Sequence, residues 1–152
     1  LLEQALGAAN RHLAGMLDGR FALQRRLETA EGAQRSGFEL DIADAWNSSV
    51  APAATLSGGE GFCAALALAL GFAETVAAHA GARQLDALFI DEGFGTLDPE
   101  ALDKALDVLE RLQVGERLVG VISHVGELKA RIPARLEVRR GRGGSRADFH
   151  FD

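Results

Sequence analysis

The sequence predicts an α/β fold with a parallel-sheet core and flanking helices. Three observations predict it. From Ser57 onward, helical and strand patterns alternate, and that alternation argues for a parallel sheet. Leu88-Phe89-Ile90 is a short apolar run with an aromatic and a β-branched residue, the pattern of a strand buried on both faces. Leu118 to Ile122 repeats that pattern. The two runs stop at polar pairs, Asp91-Glu92 and Ser123-His124. Ligands of open α/β sheets bind outside the carboxyl ends of the strands, so these four residues fall where a site is expected.

Composition bounds the rest. The 152 residues are 47% hydrophobic, which is one domain with a real core, or one large piece of a domain. A formal charge of −6 makes the chain as a whole repel nucleic acid, so a DNA contact would need a local basic patch. Arg139, Arg140, Arg142 and Arg146 cluster near the C-terminus and read as solvated hairpin strands. The one cysteine, Cys63, lies in an apolar run and reads as a small core residue. A single cysteine excludes a disulfide framework within the chain and fits a reducing cytoplasm. The longest apolar run, Phe62 to Ala73, is too short to span a bilayer, so it reads as a buried helix with no membrane role. The chain opens at Leu1 in mid-pattern, with Leu1, Leu2, Ala5 and Leu6 already on one helical face, so a piece of a longer protein is expected.

Leu1 to about Leu17 reads as a helix, because Leu2, Leu6, Ala9, Leu13 and Met16 recur at three- and four-residue spacing. Asp18-Gly19 stops it. Phe21 to Leu27 reads as a strand, and Glu28 to Gly37, polar with two glycines, as a loop. Phe38 to Trp46 supports a second strand, with Glu39 and Asp41 outward. Asn47 to Thr55 holds Asn, Ser and Pro52 and reads as a loop. A long helix follows from Ser57 to about Ala80, almost all apolar through Ala73 and so expected to be buried nearly all round. Gly81 ends it. Leu85 to Ile90 is the central strand. Asp98 then reads as an N-cap, Pro99 as N1 and Glu100 as a first-turn acid of a helix to about Leu112. Val114-Gly115 breaks that helix. A short helix over Glu127 to Ile132 and a last strand pair, Leu136 to Arg140 and Ala147 to Phe151, complete the chain.

Three stretches carry chemistry. Ser57 and Glu60 match a capping box, and Gly58-Gly59 lets a phosphate approach the free amides of a helix N-terminus. An ordinary cap would look the same. Asp91 and Glu92 are adjacent carboxylates at a strand end, a costly arrangement without a cation or a separation. One can hold Mg²⁺ while the other orients or deprotonates a water. His124 follows a strand that should neighbour the Asp91-Glu92 strand, so it can hydrogen-bond a phosphate or the attacking water.

Leu56-Ser57-Gly58-Gly59-Glu60, Leu88 to Glu92, Gly95-Thr96-Leu97-Asp98 and Ser123-His124 resemble, in order, the signature, Walker B, D-loop and switch-histidine motifs of the ABC-type ATPases. Within them the wording from Leu85 to Asp98 and from Val119 to Val125 is similar to the SbcC-like ATPases of double-strand-break nuclease complexes. Asp44-Ala45-Trp46 and Ile132-Pro133 also resemble that subfamily. The resemblance implies the C-terminal lobe of an ABC-type P-loop ATPase head, with ATP and Mg²⁺ as cofactors. It implies that Asp91 binds Mg²⁺ through water, Glu92 polarises the attacking water and His124 senses the γ-phosphate. Ser57, Gly58, Gly59 and Glu60 would meet the ATP of an opposing subunit, and Asp98 would lie at the dimer interface. No G-x-x-x-x-G-K-[ST] occurs in the sequence, so the Walker A half is absent from it. The resemblance therefore implies residues 1–18 as the root of a returning coiled-coil helix and 19–152 as the lobe. It further implies as partners the N-terminal half of the same ATPase, a second head across ATP, an SbcD-like metallonuclease subunit and double-stranded DNA. The chain on its own is expected to be inactive. An SMC-type chromosome-organising head is the alternative. A transporter cassette is disfavoured by Glu60, where transporters carry Gln. A free-standing Mg²⁺ hydrolase is the reading that predicts activity from the isolated chain.

Overall fold

The computed structural model describes residues 1–26, 39–81, 87–113 and 118–151. The loop expected over 28–37, the break expected at Val114-Gly115 and the first residues of the strand expected from Leu85 lie outside them.

Helix α1 (Leu2–Met16) buries Leu6, Ala9, Leu13 and Met16, the face its spacing foretells. It ends where Asp18 and Gly19 both take positive φ, 52° and 70°. Strands β1 (Phe21–Arg25), β2 (Leu40–Asp44) and β3 (Ser49–Pro52) form an antiparallel sheet in that order. β3 corrects the loop expected over 47–55. It is a four-residue edge strand, and an edge tolerates Pro52, which has no amide to donate. The expected second strand also stops earlier. Ala45 to Ser48 form a turn, Asp44 points inward, and Trp46 is 74% exposed.

Helix α2 (Gly58–His79) crosses α1 at backbone contact. A Cβ on Gly71 would sit 2.4 Å from the Ala5 carbonyl oxygen and 2.5 Å from the Ala9 nitrogen, so only glycine fits. Cys63, Leu66, Ala67 and Leu70 fill the core between the helices. Burial pushes the Cys63 thiol up to about 11, as befits an inert core residue. The burial nearly all round expected of α2 does not hold, because Ala65, Ala69 and Val76 face outward. Alanine has little apolar area to hide, so that stripe costs little. By length and composition the whole helix could cross a membrane, unlike the shorter apolar run within it, but here it is the central core helix.

β4 (Ala87–Asp91) and β5 (Leu118–Ile122) pair in parallel, with Asp91 opposite Ile122. Their inner residues Leu88, Ile90, Val119 and Val121 pack on the core. The expected burial on both faces does not hold: Phe89 is 66% exposed, and Leu118 and Ile122 are exposed beside it. No described element covers that face. α3 (Pro99–Leu112) is capped by Asp98, whose side chain accepts from the Ala101 amide at 2.9 Å, and it buries Leu102, Ala105, Leu106, Val108 and Leu109. The short α4 (Leu128–Arg131) leads into the hairpin of β6 (Ala134–Gly141) and β7 (Gly144–Phe151). The arginines at its tip are exposed, and Arg139 and Arg146 pair with Glu137 and Asp148 along their own strands.

Candidate functional site

The parallel register of β4 and β5 puts Asp91-Glu92 and Ser123-His124 on one sheet edge. Asp91 ends the strand with its side chain in solvent and no ion-pair or hydrogen-bond partner among the described residues. Glu92 donates its amide to the Ile122 carbonyl at 2.8 Å, then turns at φ 58°. This left-handed turn carries Glu92 out of the strand, while Asp91 remains its last residue. It delivers Glu92 to His124, whose Nδ1 lies 2.9 Å from Glu92 Oε2.

Gly93 continues the turn at φ 96°, where a side chain would be strained and would also strike Phe62 of α2. The short 3₁₀ turn Phe94–Thr96 follows, with Phe94 fully buried and 4.9 Å from Phe62, edge to face. Thr96 was not singled out from the sequence, yet it joins two of the motifs. Its hydroxyl donates to the Gly93 carbonyl at 2.8 Å and reaches the Gly58 carbonyl at 3.5 Å. Opposite it, a Cβ on Gly59 would lie 3.1 Å from the Thr96 carbonyl oxygen. Gly59 is therefore fixed by close packing as well as by any ligand. The tip of α2 and the acid-bearing loop form one surface. An open cleft of about 360 Å³ adjoins it, between Phe94, Gly95, Leu97 and Pro99 on one side and His124 and Val125 on the other.

At the tip, Ser57 Oγ accepts from the Glu60 amide at 3.3 Å and Glu60 Oε2 accepts from the Ser57 amide at 3.0 Å, the reciprocal capping box. The other Glu60 oxygen takes Arg20 at 3.4 Å. Glu60 thus turns both oxygens toward the protein. Ser57 and Gly58 remain exposed, presenting the positive end of a helix of 22 residues. Arg20 was also missed from the sequence. An arginine directly after a helix stop carries no local signal, since its partners Asp44 and Glu60 come from distant segments.

The donor set suits Mg²⁺. Among the described residues no three His, Cys, Asp or Glu side chains form a metal cage. Mg²⁺ needs none, because it binds through one or two carboxylates, several waters and substrate phosphates. A free, solvent-facing Asp91 at the strand end fits that role.

The fold is shared with solved SMC ATPase head domains. A chain from a structural study of ATP-driven dimerization and DNA-stimulated activation of SMC ATPases matches at TM-score 0.75 and 18% identity, over 97% of this chain and 84% of that one. The Smc head domain of Pyrococcus furiosus, bound to the C-terminal domain of ScpA, matches at TM-score 0.69 and 19% identity, over 98% of this chain and 35% of that one. Sequence narrows the class. The SbcC/RAD50-like Walker B motif family matches residues 22–111, and the chain belongs to that family. It is 50% identical to the SbcC subunit of the SbcCD nuclease of Vibrio cholerae over 145 residues, 95% of this chain and 14% of that protein. It is 43% identical to the protein of the same name from Treponema pallidum, again over 95% of this chain and 14% of that protein. The chain thus spans about one-seventh of the length of these relatives.

Proposed function

We propose that this chain is the C-terminal lobe of the ATP-hydrolysing head of an SbcC-type subunit in a DNA double-strand-break nuclease complex. The observation that carries the reading is one surface holding Asp91, the Glu92–His124 pair and the capped Ser57-Gly58-Gly59 tip, joined through Thr96. Phosphoryl transfer needs positioning and charge stabilisation more than covalent help, and this surface offers both. Asp91 holds Mg²⁺, which neutralises charge on the phosphates when bound. Glu92 orients and deprotonates the attacking water, and His124, hydrogen-bonded to Glu92, contacts the γ-phosphate. Ser57, Gly58 and Gly59 offer amides and a hydroxyl to the ATP of a second head, with Asp98 beside them at the interface.

The N-terminal half of the ATPase supplies the phosphate-cradling loop and covers the exposed face around Phe89. Residues 1–18 are the root of a coiled coil, and 19–152 the lobe. A metallonuclease subunit and double-stranded DNA read out head closure, in the cytoplasm. An SMC-type head shares the fold, but its likeness is 18–20% in identity against 43–50% for the SbcCD relatives. Co-expression with the N-terminal half should give Mg²⁺-dependent ATP turnover that the isolated lobe lacks. Turnover by the lobe alone, or turnover that survives Glu92→Gln in the assembled head, overturns the assignment.

A further inference from the structure

We propose that Arg20 is a positioning residue for the phosphate-contacting tip of α2, acting through Glu60. This rests on the nucleotide-binding reading of Ser57, Gly58 and Gly59.

Arg20 enters β1 directly after the turn that closes α1, and its carbonyl accepts from the Ala45 amide at 2.8 Å. Its backbone is therefore pinned between the end of α1 and the β2–β3 turn. Its guanidinium, in a side chain 30% exposed, bridges two carboxylates from different elements. Nε and Nη2 donate to Asp44 Oδ2 at 3.1 and 2.8 Å, and Nη1 donates to Glu60 Oε1 at 3.4 Å. Its Cζ also lies over the rings of Phe21 and Trp46, 4.3 and 4.4 Å from their centroids. Asp44 is itself fixed, because its second oxygen accepts from the Trp46 amide at 2.9 Å. Glu60 consequently meets a cation that is already held in place.

An ordinary capping-box glutamate can swing out into solvent. Here one oxygen of Glu60 is held by Arg20 and the other holds the Ser57 amide. The chain Asp44–Arg20–Glu60–Ser57 runs from the end of β2 to the residue offered to the phosphate. Groups ordered beforehand lose less freedom when a ligand arrives, so this chain should favour ATP engagement at the tip. Lysine could not replace Arg20, because a single ammonium cannot span both carboxylates while stacked on the rings.

A double-mutant cycle on the intact ATPase tests this. Arg20→Gln, Glu60→Gln and the combined variant are compared with wild type by titrating ATP-dependent head association and by steady-state turnover. Arg20→Gln should raise the ATP concentration for half-maximal association by about tenfold, the scale of coupling in a shared charge network, with a smaller change in kcat. The combined variant should behave as Glu60→Gln alone. Additive losses, or an Arg20→Gln protein that responds to ATP as wild type does, overturn the proposal, since Arg20 would then serve only Asp44. If Arg20→Gln lowers the folded yield, Arg20→Lys carries the same cycle. A wild-type protein that neither associates nor turns over ATP overturns the nucleotide reading itself, so the two failures are distinguishable.

Discussion

His124 Nδ1 sits 2.9 Å from Glu92 Oε2, tying together the ends of two neighbouring parallel strands. Both side chains are well exposed, 80% and 50%, and an exposed pair of this kind contributes little to stability. What holds the geometry is the backbone. Glu92 takes φ 58°, a conformation that costs a side-chain-bearing residue roughly 1–2 kcal/mol. The fold keeps a strained glutamate at the sheet edge where a residue without a Cβ would be easier to place.

A substitution can therefore separate function from stability. Glu92→Gly relieves the left-handed strain, and that relief offsets the roughly 0.5–1 kcal/mol of extra chain entropy glycine loses on folding. The urea midpoint should stay near wild type. ATP turnover in the assembled head should fall by about 10²–10⁴-fold, the usual contribution of a general base. A variant that loses stability and turnover together would show that Glu92 is a structural residue.

Gly71 makes the opposite kind of prediction, with no site chemistry in it. An added methyl would lie 2.4 Å from the Ala5 carbonyl oxygen and 2.5 Å from the Ala9 nitrogen, both backbone atoms that cannot rotate away. Gly71→Ala should destabilise the chain by about 1–3 kcal/mol, the range for overpacking a tight core. Urea unfolding measures it. An unchanged midpoint would mean that α1 and α2 do not cross at this point.

Arg20 holds the Asp44 carboxyl below its ordinary carboxylate range, chiefly by hydrogen bonding. A depressed folded-state pKa adds stability that is fully present above the unfolded-state value, near 4. That stability is lost as pH falls through the folded-state value. Asp44→Asn should therefore be less stable than wild type at neutral pH, and the gap should close in acid below pH about 4. Urea midpoints of the two proteins across this window test the sign. A constant gap would place the loss elsewhere than in the Arg20 pair.

Much of this fold was legible because it obeys local rules. The α1 and α3 faces follow helical spacing, and Ser57, Asp98 and Pro99 announce helix starts that the structure keeps. The strand ends bearing Asp91-Glu92 and His124 came from two apolar runs stopped by polar pairs. What failed was long-range. Trp46 is as apolar as a core residue, yet it lies exposed beside Arg20, a placement set by a partner 26 positions away. β3 was missed because an edge strand with Ser and Pro carries a weak pattern. Phe89 belongs to an apolar run that implied burial on both faces, whereas the described elements cover one. In the sequence Thr96 is only a motif letter, because its bond to Gly58 depends on how α2 packs.

That uncovered face gives the last prediction. Phe89 is 66% exposed, and its ring lies against Gly120 of β5, where a Cβ would come within 2.5 Å of it. Phe89→Ser removes little that the lobe itself buries, so its unfolding free energy should change by no more than an ordinary surface substitution allows, about 0.5 kcal/mol. Leu88→Ser, on the inner face, should destabilise the lobe outright. If the N-terminal half of the ATPase covers Phe89, burying that ring is worth about 1.5–3 kcal/mol, or roughly 10- to 100-fold in affinity. Titrating the purified N-terminal half into wild-type and Phe89→Ser lobes by calorimetry measures the difference. Equal affinities would mean that the N-terminal half docks elsewhere, and that the exposed face of β4 and β5 is not its seat.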